Sequence, residues 1–406
     1  WDMIAHYRYG GKVAPPERYY ALADEFNPQN YDPNKWLKSA KEAGFTYAVL
    51  TTKHHDGYAL WPSKYGIGTK QYMGGRDLIQ TYVDACRQNG LKVGFYFSPR
   101  DWHFPGLMHP NEYDAEKWHE LPAITDSVAN YQKYERFLGF VLTQIEEILT
   151  RYGKIDILWL DGMYFKGVND MHTEQIYTWI RTLQPEIVIN DRWSNIVNPD
   201  DPAGTGMRVG DFTTPFECIL PTYTPSQWWE HCDIWTSGGG GWGYDKTGTF
   251  RPYAWFFEHL VASRSLGGNF LPNVGPDGNG DMHPNYYKNM EAIAEWMSHS
   301  RESVIGASPS PGVARSNVMI TTRGNTWYLH LLPSFKKQVS LQTDQKPLSV
   351  TLLRTGEPIP FIYKDGFINF TLLPTQRTEM DDVVKVVIPG DQKCHAISKD
   401  KNVFVK

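Results

Sequence analysis

One pattern recurs through the first three hundred residues: a helix-like segment, a glycine that ends it, and a short apolar run. The clearest copies are residues 32–43 with Gly44 and 45–52, residues 77–89 with Gly90 and 91–98, and residues 131–152 with Gly153 and 155–160. Because each apolar run follows a helix, the runs are predicted to pair as the parallel strands of βα units.

Other segments extend this pattern along the chain. They are a strand at 2–6, a helix at 173–183, a strand at 186–190, a helix at 253–266, a strand at 269–274 and a helix at 284–299. No GxGxxG phosphate-binding loop follows any of these strands, so the pattern favours a (β/α)8-like barrel over a doubly wound sheet. Residues 194–252 yield no clean unit.

The pattern changes after residue 307, where a Ser/Pro/Gly-rich linker at 308–312 precedes short runs of alternating polarity. Six such runs, separated by Gly, Pro, Asn and Asp, occupy residues 318–322, 326–332, 338–341, 348–353, 367–372 and 383–388. Alternation over short runs predicts a small β-sandwich. We therefore predict an α/β fold with two domains: a catalytic (β/α)8-like barrel at 1–306 and a supporting C-terminal β-sandwich at 307–406.

Charge and hydropathy argue against several classes of partner. The net charge is −5 without a Lys/Arg-rich block, so nucleic acid is not an expected partner. No apolar run reaches 18 residues, so no membrane span is expected. The chain begins at Trp1 without Met, and removal of a signal peptide would favour a secreted, periplasmic or lysosomal location over the cytoplasm. Localisation and oligomeric state stay open.

Cysteine spacing bears on metal binding. The chain has four cysteines and none forms a CxxC pair, so a thiolate zinc site is not predicted. No cofactor and no other metal site is predicted either. Pairing of Cys218 with Cys232 stays open.

The apolar run at 155–160 contains Trp159 and ends in the carboxylate Asp161. Barrels and doubly wound sheets place their chemistry at the carboxyl ends of strands, which favours Asp161 as a site residue. An aspartate that caps the next turn gives the same sequence. The chain has 15 Trp and 24 Tyr, many of them in Gly- and Pro-rich segments, which favours a carbohydrate ligand.

Two adjacent histidines, His54 and His55, follow the predicted strand at 45–52. Neighbouring strand residues point to opposite faces, but the twist at a strand end lets both reach one pocket. Imidazole both donates and accepts hydrogen bonds, which favours a polyhydroxyl ligand over packing or a metal. Arg192, after the strand at 186–190, belongs either to the site or to a salt-bridged turn.

Two later carboxylates are candidates for a proton donor. Glu230 lies in an aromatic segment, where apolar surroundings raise a carboxyl pKa, and Glu217 is the alternative. Asp161 with either residue supplies the pair of carboxylates that glycoside cleavage requires. No GxSxG elbow supports a serine hydrolase. The glycines at 238–241, before Trp242, predict a flexible lid, because the Lys-Ser/Thr of a phosphate loop does not follow.

Several segments together resemble the signature of glycoside hydrolase family 29, the α-L-fucosidases. In the family's order they are residues 43–58, which include His54-His55-Asp56-Gly57, then 61–65, 94–98, 101–102, 159–162, 190–193, 229–230, 242–244 and 267–276. The His-His-Asp-Gly and Gly-Gly-Asn segments are the most specific. The resemblance covers about residues 1–300 and implies a retaining exo-α-L-fucosidase acting on fucosylated oligosaccharides or polysaccharides.

The resemblance also implies roles for individual residues. Asp161 matches the nucleophile and Glu230 the acid/base, with Glu217 as the alternative, and the two carboxyl groups are expected about 5–5.5 Å apart. The residues implied to line the fucose pocket are His6, His54, His55, Tyr96, Trp159 and Arg192, together with Trp61 and Trp242.

The chain departs from the family in two pocket segments. The family's His-Trp-Gly appears as 6–10, and its Glu-Trp-Tyr appears as Glu17-Arg18-Tyr19. Both segments help line the sugar pocket in the family, so the departures leave the exact sugar preference open. The alternative functions are an α-L-galactosidase-type relative and a catalytically inactive fucose-binding protein.

Overall fold

Parallel strands dominate the N-terminal part of the computed structural model, which describes residues 8–9, 12–13, 16–105, 127–161, 171–193, 209–310 and 315–390. Within these ranges the parallel strands are β1 (Tyr47–Lys53), β2 (Lys92–Phe97), β3 (Ile157–Leu160), β4 (Val188–Ile189), β5 (Phe212–Glu217), β6 (Trp228–Ile234) and β7 (Asn269–Asn273). Strands β1 to β4 pair in chain order, as do β5 to β7, and a parallel bridge from Asn190 to Phe212 joins the two sets. Strands that neighbour in chain order are the arrangement of a (β/α)8 barrel.

The helices between these strands confirm the repeated pattern. They are α1 (Pro33–Glu42), α2 (Leu78–Gln88), α3 (Ser127–Arg151), α4 (Thr173–Leu183), α5 (Tyr253–Ser265) and α6 (Pro284–Ser300). The Asp32 carboxylate caps α1 by accepting from the Asn34 amide, and Asp77 caps α2 in the same way through Gln80. Gly90, at φ +64°, follows α2 in the left-handed region that glycine adopts readily.

The wall of strands curves until its first and sixth described members face each other. The Tyr47 hydroxyl on β1 donates to the Glu230 carboxylate on β6, across the interior. The predicted strand at 2–6 lies outside the described residues. Shorter elements around the wall are paired strands at Arg8–Tyr9 with Lys12–Val13 and Tyr58–Ala59 with Ile67–Gly68, helices at Pro16–Tyr20 and Thr69–Tyr72, and 3-10 turns at Ala21–Asp24 and Arg301–Ser303.

Strands β5 and β6 come from the segment that showed no clean unit in the sequence. Strand β5 carries Thr213, Thr214 and Pro215, and β6 carries charged and imidazole side chains on both faces. Neither is an apolar run, so the usual signal of a buried strand is missing. Both bring polar groups into the barrel and its outer wall.

The C-terminal part confirms the predicted sandwich. Its strands are β8 (Arg315–Ser316), β9 (Met319–Arg323), β10 (Thr326–Leu331), β11 (Val339–Gln342), β12 (Ser349–Leu352), β13 (Ile362–Lys364), β14 (Phe367–Phe370) and β15 (Asp382–Val387), with a 3-10 turn at Pro374–Gln376. They form two antiparallel sheets, in the orders β8-β11-β14-β13 and β9-β10-β15-β12, around an apolar core that includes Trp327 and Leu341. The domain division at residues 306 and 307 stays a prediction.

The sandwich packs directly on the barrel. The Trp296 indole N–H on α6 donates to the Asp381 carbonyl at 2.7 Å, and Tyr328 belongs to the apolar core of the barrel.

The state of Cys218 and Cys232 and the question of a membrane-spanning helix each rest on one observation. Cys218 and Cys232 are free thiols, joined only through their backbones, where the Cys218 amide donates to the Cys232 carbonyl at 3.0 Å. Among the described helices, none combines the length and apolar character needed to cross a membrane.

Candidate active site

Asp161 lies at the carboxyl end of β3, where its backbone amide donates to the Phe97 carbonyl of β2 at 3.2 Å. Its carboxylate accepts from the Tyr96 hydroxyl at 2.7 Å and from Arg192 Nη1 at 2.9 Å. Burial raises the Asp161 pKa, but Arg192 and Tyr96 outweigh it and hold the pKa below its usual range. Asp161 is therefore an ionised carboxylate in a pocket, and about a fifth of its side chain is exposed.

Arg192 joins Asp161 to a second carboxylate. Its Nη1 bonds Asp161, its Nη2 bonds Glu217, and its Nε donates to Thr214 Oγ1 at 2.6 Å. The guanidinium also lies 4.5 Å from the Trp159 ring centroid. One planar cation thus holds the two carboxylates beside each other at the carboxyl ends of β3 and β5.

The paired histidines lie beside Asp161, as predicted. His55 Nε2 is 4.0 Å from Asp161 Oδ2, and the His54 ring stacks on Tyr96 at 5.2 Å between centroids. Tyr96 in turn stacks on Trp159 at 5.4 Å. Burial lowers the pKa of His55 to about 3, so this imidazole is neutral near pH 7. The result is an aromatic wall edged with neutral imidazole groups.

Backbone geometry explains the His-His-Asp-Gly segment. The Asp56 carboxylate accepts from the Tyr58 amide at 3.1 Å and from the Tyr19 hydroxyl at 2.7 Å, which fixes the turn. Gly57 has φ +86°, and a Cβ there would lie 2.5 Å from Asp101 Oδ1. The glycine therefore lets the turn pack against Asp101, which pairs with the buried Lys53 at 3.1 Å.

The atoms of His54, His55 and Asp161 are close enough for one metal ion to contact all three residues. The Asp161 oxygens are already engaged by the Tyr96 hydroxyl and the Arg192 cation. A guanidinium bound to the same carboxylate opposes a second cation, so this cluster fits an organic ligand better than a metal.

The two candidate acids occupy different depths of the barrel. Glu217 is the last residue of β5, its side chain 42% exposed, beside Asp161. Glu230 is 4% exposed and accepts from the Trp159 indole N–H at 2.9 Å as well as from Tyr47. Tyr47 is the first residue of β1, so Glu230 lies below Trp159, toward the amino ends of the strands.

Burial raises the pKa of Glu230, as its aromatic sequence surroundings predict for a proton donor. A carboxyl group sealed in a barrel core acquires the same raised pKa, so the shift does not distinguish the two roles. The position of the carboxyl group is what separates a proton donor from a structural carboxyl group, because a proton donor must reach the departing oxygen.

Of the remaining predicted pocket residues, Trp242 packs against the cluster of Trp159 and Phe212, consistent with its expected place. Trp61 is fully buried, and its indole N–H donates to Glu147 on α3 at 3.0 Å. The prediction that Trp61 lines the sugar pocket is therefore wrong, because its ring is part of the core. His6 lies outside the described residues.

The glycine-rich loop is a hydrogen-bonded turn in this structure. Asp245 accepts from the Gly238 amide and from the Thr247 amide and hydroxyl, the latter at 2.7 Å. A Cβ on Gly238 would lie 1.9 Å from Thr247 Oγ1. Close packing around Asp245 accounts for a glycine at position 238, and the flexible lid stays a prediction.

Three further polar residues position the site. Ser98 Oγ lies 2.5 Å from His55 Nδ1, and Thr214 orients Arg192. The Asn190 side chain bonds both the amide and the carbonyl of Leu160, at 2.8 and 2.9 Å. Ser98 and Asn190 each directly follow a strand, which is the signal that a search for strand-end polar residues would use, whereas Thr214 lies within β5 and carries no such signal.

Comparisons with known proteins agree on one family. A family model described as Alpha-L-fucosidase matches residues 3–302. Tissue α-L-fucosidase of Mus musculus is 26% identical over 342 residues, which cover 81% of this chain and 70% of that protein. The α-L-fucosidase of Dictyostelium discoideum is 27% identical over 299 residues, covering 72% and 59%.

Solved structures give the same result. α-L-Fucosidase isoenzyme 1 from Paenibacillus thiaminolyticus superposes with a TM-score of 0.77 at 29% identity, covering 92% of this chain and 90% of that one. A GH29 α-L-fucosidase from Bacteroides thetaiotaomicron, a covalent intermediate trapped with 2-fluoro-fucosyl fluoride in a glutamate-to-glutamine mutant, has a TM-score of 0.77 at 26% identity, covering 93% and 90%. The chain therefore belongs to the α-L-fucosidase family, glycoside hydrolase family 29, and has its fold of a (β/α)8 barrel followed by a β-sandwich.

Proposed function

We propose that this protein removes terminal α-L-fucosyl residues from oligosaccharides or polysaccharides by double displacement, with Asp161 as nucleophile and Glu217 as acid/base. The observation that carries the assignment is the single guanidinium of Arg192, which binds both carboxylates at the carboxyl ends of β3 and β5. Retaining glycosidases use two carboxyl groups about 5–5.5 Å apart, and binding of both groups by one guanidinium supports such a pairing. The trapped covalent intermediate of the Bacteroides thetaiotaomicron enzyme supports the same chemistry.

In the first step the Asp161 carboxylate attacks the anomeric carbon while the bond to the aglycone breaks. The protonated Glu217 gives its proton to the departing oxygen, which leaves as an alcohol. In the second step the Glu217 carboxylate removes a proton from water, whose oxygen attacks the anomeric carbon and releases Asp161. Two inversions return fucose with its original configuration.

Other residues prepare this pair of carboxylates for the reaction. Arg192 and Tyr96 keep Asp161 ionised, which a nucleophile requires. The neutral imidazole groups of His54 and His55, with the indole of Trp159, present hydrogen-bonding groups and an aromatic face suited to a deoxy sugar.

Glu230 has a structural role in this proposal. Its two carboxylate oxygens accept from Tyr47 on β1 and Trp159 on β3, so it ties three strands together beneath the pocket. A sugar above Trp159 is separated from Glu230 by that indole.

The stereochemistry is tested by proton NMR of the product formed at early times from an aryl α-L-fucoside. The α anomer of fucose is expected first, before mutarotation. Initial release of the β anomer would contradict double displacement.

The roles of the two glutamates are tested by azide rescue of Glu217→Gln and Glu230→Gln on an aryl α-L-fucoside with an activated leaving group. Glu217→Gln is expected to regain rate with azide and to yield the α-configured fucosyl azide, because azide replaces water in the second step. Rescue of Glu230→Gln and not of Glu217→Gln would reverse the assignment.

A further inference from the structure

A second cluster of two histidines and an aspartate lies outside the barrel interior. His231 and Asp233 alternate with Glu230 and Cys232 along β6, so they point away from the pocket and toward α5. There they meet His259 of α5, and the ligand atoms of the three residues all lie within 4.8 Å of one another. All three residues are buried, the most exposed at 6%.

A hydrogen bond fixes the tautomer of one of the two histidines in this cluster. His259 Nδ1 lies 2.8 Å from the Trp255 carbonyl, which can only accept, so Nδ1 carries the proton and the lone pair is on Nε2. That lone pair faces Asp233 Oδ2 at 3.5 Å.

His231 lacks hydrogen-bond partners within the described ranges. It is fully buried, and among the described residues neither of its ring nitrogens has a hydrogen-bond partner, although Nε2 lies 3.7 Å from Asp233 Oδ2. The chain satisfies another buried histidine completely: His330 contacts Asp381 at 2.6 Å and Thr321 at 2.9 Å. His231 thus differs from His330, because its imidazole lies near a carboxylate without a hydrogen bond to it.

The separations fit a metal better than hydrogen bonds. Distances of 3.5 and 3.7 Å from Asp233 Oδ2 to the two imidazole nitrogens exceed those of ordinary hydrogen bonds. Ligands about 2.0–2.1 Å from a tetrahedral Zn²⁺ lie roughly 3.3–3.5 Å apart, close to the observed edges. The bond from His259 to Trp255 is also the kind of outer contact that fixes a metal-binding imidazole.

We propose that His231, Asp233 and His259 bind a Zn²⁺ ion that ties β6 to α5, with water as the fourth ligand. The ring of Trp255, 4.0 Å from that of His259, and the ring of Phe270, 5.3 Å from that of His231, wall the site. The Cys218 thiol borders Asp233 on the solvent side but lies outside the converging atoms. The site does not share a residue with the carbohydrate pocket, so its role is structural.

The experiment uses the full chain without a histidine tag. The protein is stripped with a chelator, incubated with ZnCl2, freed of excess metal by gel filtration, and analysed by mass spectrometry for zinc. About one zinc per chain is expected to stay bound, and CoCl2 is expected to give the visible absorption of tetrahedral Co²⁺. The conservative variants His259→Gln and Asp233→Asn are each expected to weaken zinc binding tenfold or more.

Two matched variants separate this site from other histidines. His54→Gln, in the carbohydrate pocket, and His299→Gln, on α6, are each expected to keep the bound zinc. Loss of zinc in His54→Gln, or equal zinc in wild type and Asp233→Asn, would overturn the proposal. If His259→Gln does not fold, Asp233→Asn and the cobalt spectrum of the wild type decide. A wild-type protein that holds no zinc after gel filtration rejects the site.

Discussion

Two clusters of the same composition, two histidines and one aspartate, lie on opposite faces of the barrel wall. The inner one combines His54 and His55 with Asp161, and the outer one combines His231 and His259 with Asp233. In the inner cluster the carboxylate is already paired with a guanidinium and a hydroxyl. In the outer cluster, no lysine or arginine of the described residues forms an ion pair with the aspartate.

This difference shows that neighbours, rather than residue types, decide what such a cluster binds. Asp161 has its charge balanced by Arg192 and its oxygens oriented by donors, so it is ready to attack an electrophilic carbon. Asp233 faces imidazole nitrogens at distances too long for hydrogen bonds, so a cation is the missing partner. Substitutions in the inner cluster are expected to change catalysis, and a matched substitution in the outer cluster serves as the control.

The largest expected effect is that of Asp161→Ala. Loss of the nucleophile is expected to lower kcat for an aryl α-L-fucoside by at least about 10³-fold, because no other group can form the covalent intermediate. Steady-state kinetics with the purified variant measure it, and circular dichroism checks its fold. Asp233→Ala is the matched outer variant, and loss of less than about tenfold is expected there. Near-normal turnover by Asp161→Ala would remove it from the mechanism.

The next effect distinguishes the exposed from the sealed glutamate. Glu217→Gln is expected to lower kcat/KM by about 10²–10⁴-fold for a poor leaving group and far less for an activated one. Glu230→Gln keeps a similar shape but weakens two buried hydrogen bonds, and is expected to cost about 1–3 kcal/mol of stability with a weak dependence on the leaving group. Kinetics across aryl fucosides, with thermal melts, measure both. A strong dependence on the leaving group in Glu230→Gln would contradict the structural role.

Arg192→Lys tests the guanidinium whose contact with the aspartate distinguishes the inner cluster from the outer one. Lysine keeps the charge but loses the planar contacts to Asp161, Glu217 and Thr214, and kcat/KM is expected to fall about 10–100-fold. Since Arg192 lowers the pKa of Asp161, weakening the contact should raise that pKa. The acid limb of the pH profile is then expected to move to higher pH. An unchanged acid limb would show that Arg192 does not set the ionisation of Asp161.

Much of the fold was predictable because helix caps and glycine stops are local signals. Helix α4 was placed at its observed bounds, and α1 and α2 within one or two residues, since Asp32 and Asp77 cap their own helices. Strands β5 and β6 were missed because their polar residues serve the barrel interior and the outer cluster. Local periodicity does not contain that information.

The site residues near the carboxyl ends of strands were predictable from the sequence, whereas the depth of a side chain along the barrel was not. Asp161, His54, His55, Tyr96 and Arg192 came together as expected, since each follows or ends a strand. The burial of Glu230 and Trp61 was not predicted, because both belong to segments that match the family and their side chains are enclosed in the barrel. Depth along a strand depends on the register of the whole barrel, which a single strand does not reveal.

The last prediction concerns stability rather than catalysis, through the pH dependence of folding at the inner cluster. The pKa of His55 is about 3 in the folded chain and about 6.5 when unfolded, so the unfolded state binds more protons between these values. Protonation of His55 in the unfolded state therefore does not reduce the unfolding free energy above about pH 6.5, and reduces it progressively as the pH decreases toward 3. His55→Gln removes this proton, and the slope of the unfolding free energy against pH is expected to decrease by up to about 1.4 kcal/mol per pH unit. Urea unfolding at pH 4, 5, 6 and 7 measures the slope, which is independent of any constant cost of the substitution.

His299→Gln, whose histidine is less buried, is the matched variant and should change the slope less. Parallel lines for wild type and His55→Gln would mean that burial in the pocket does not keep His55 neutral, and that its contact with Asp161 is an ion pair instead.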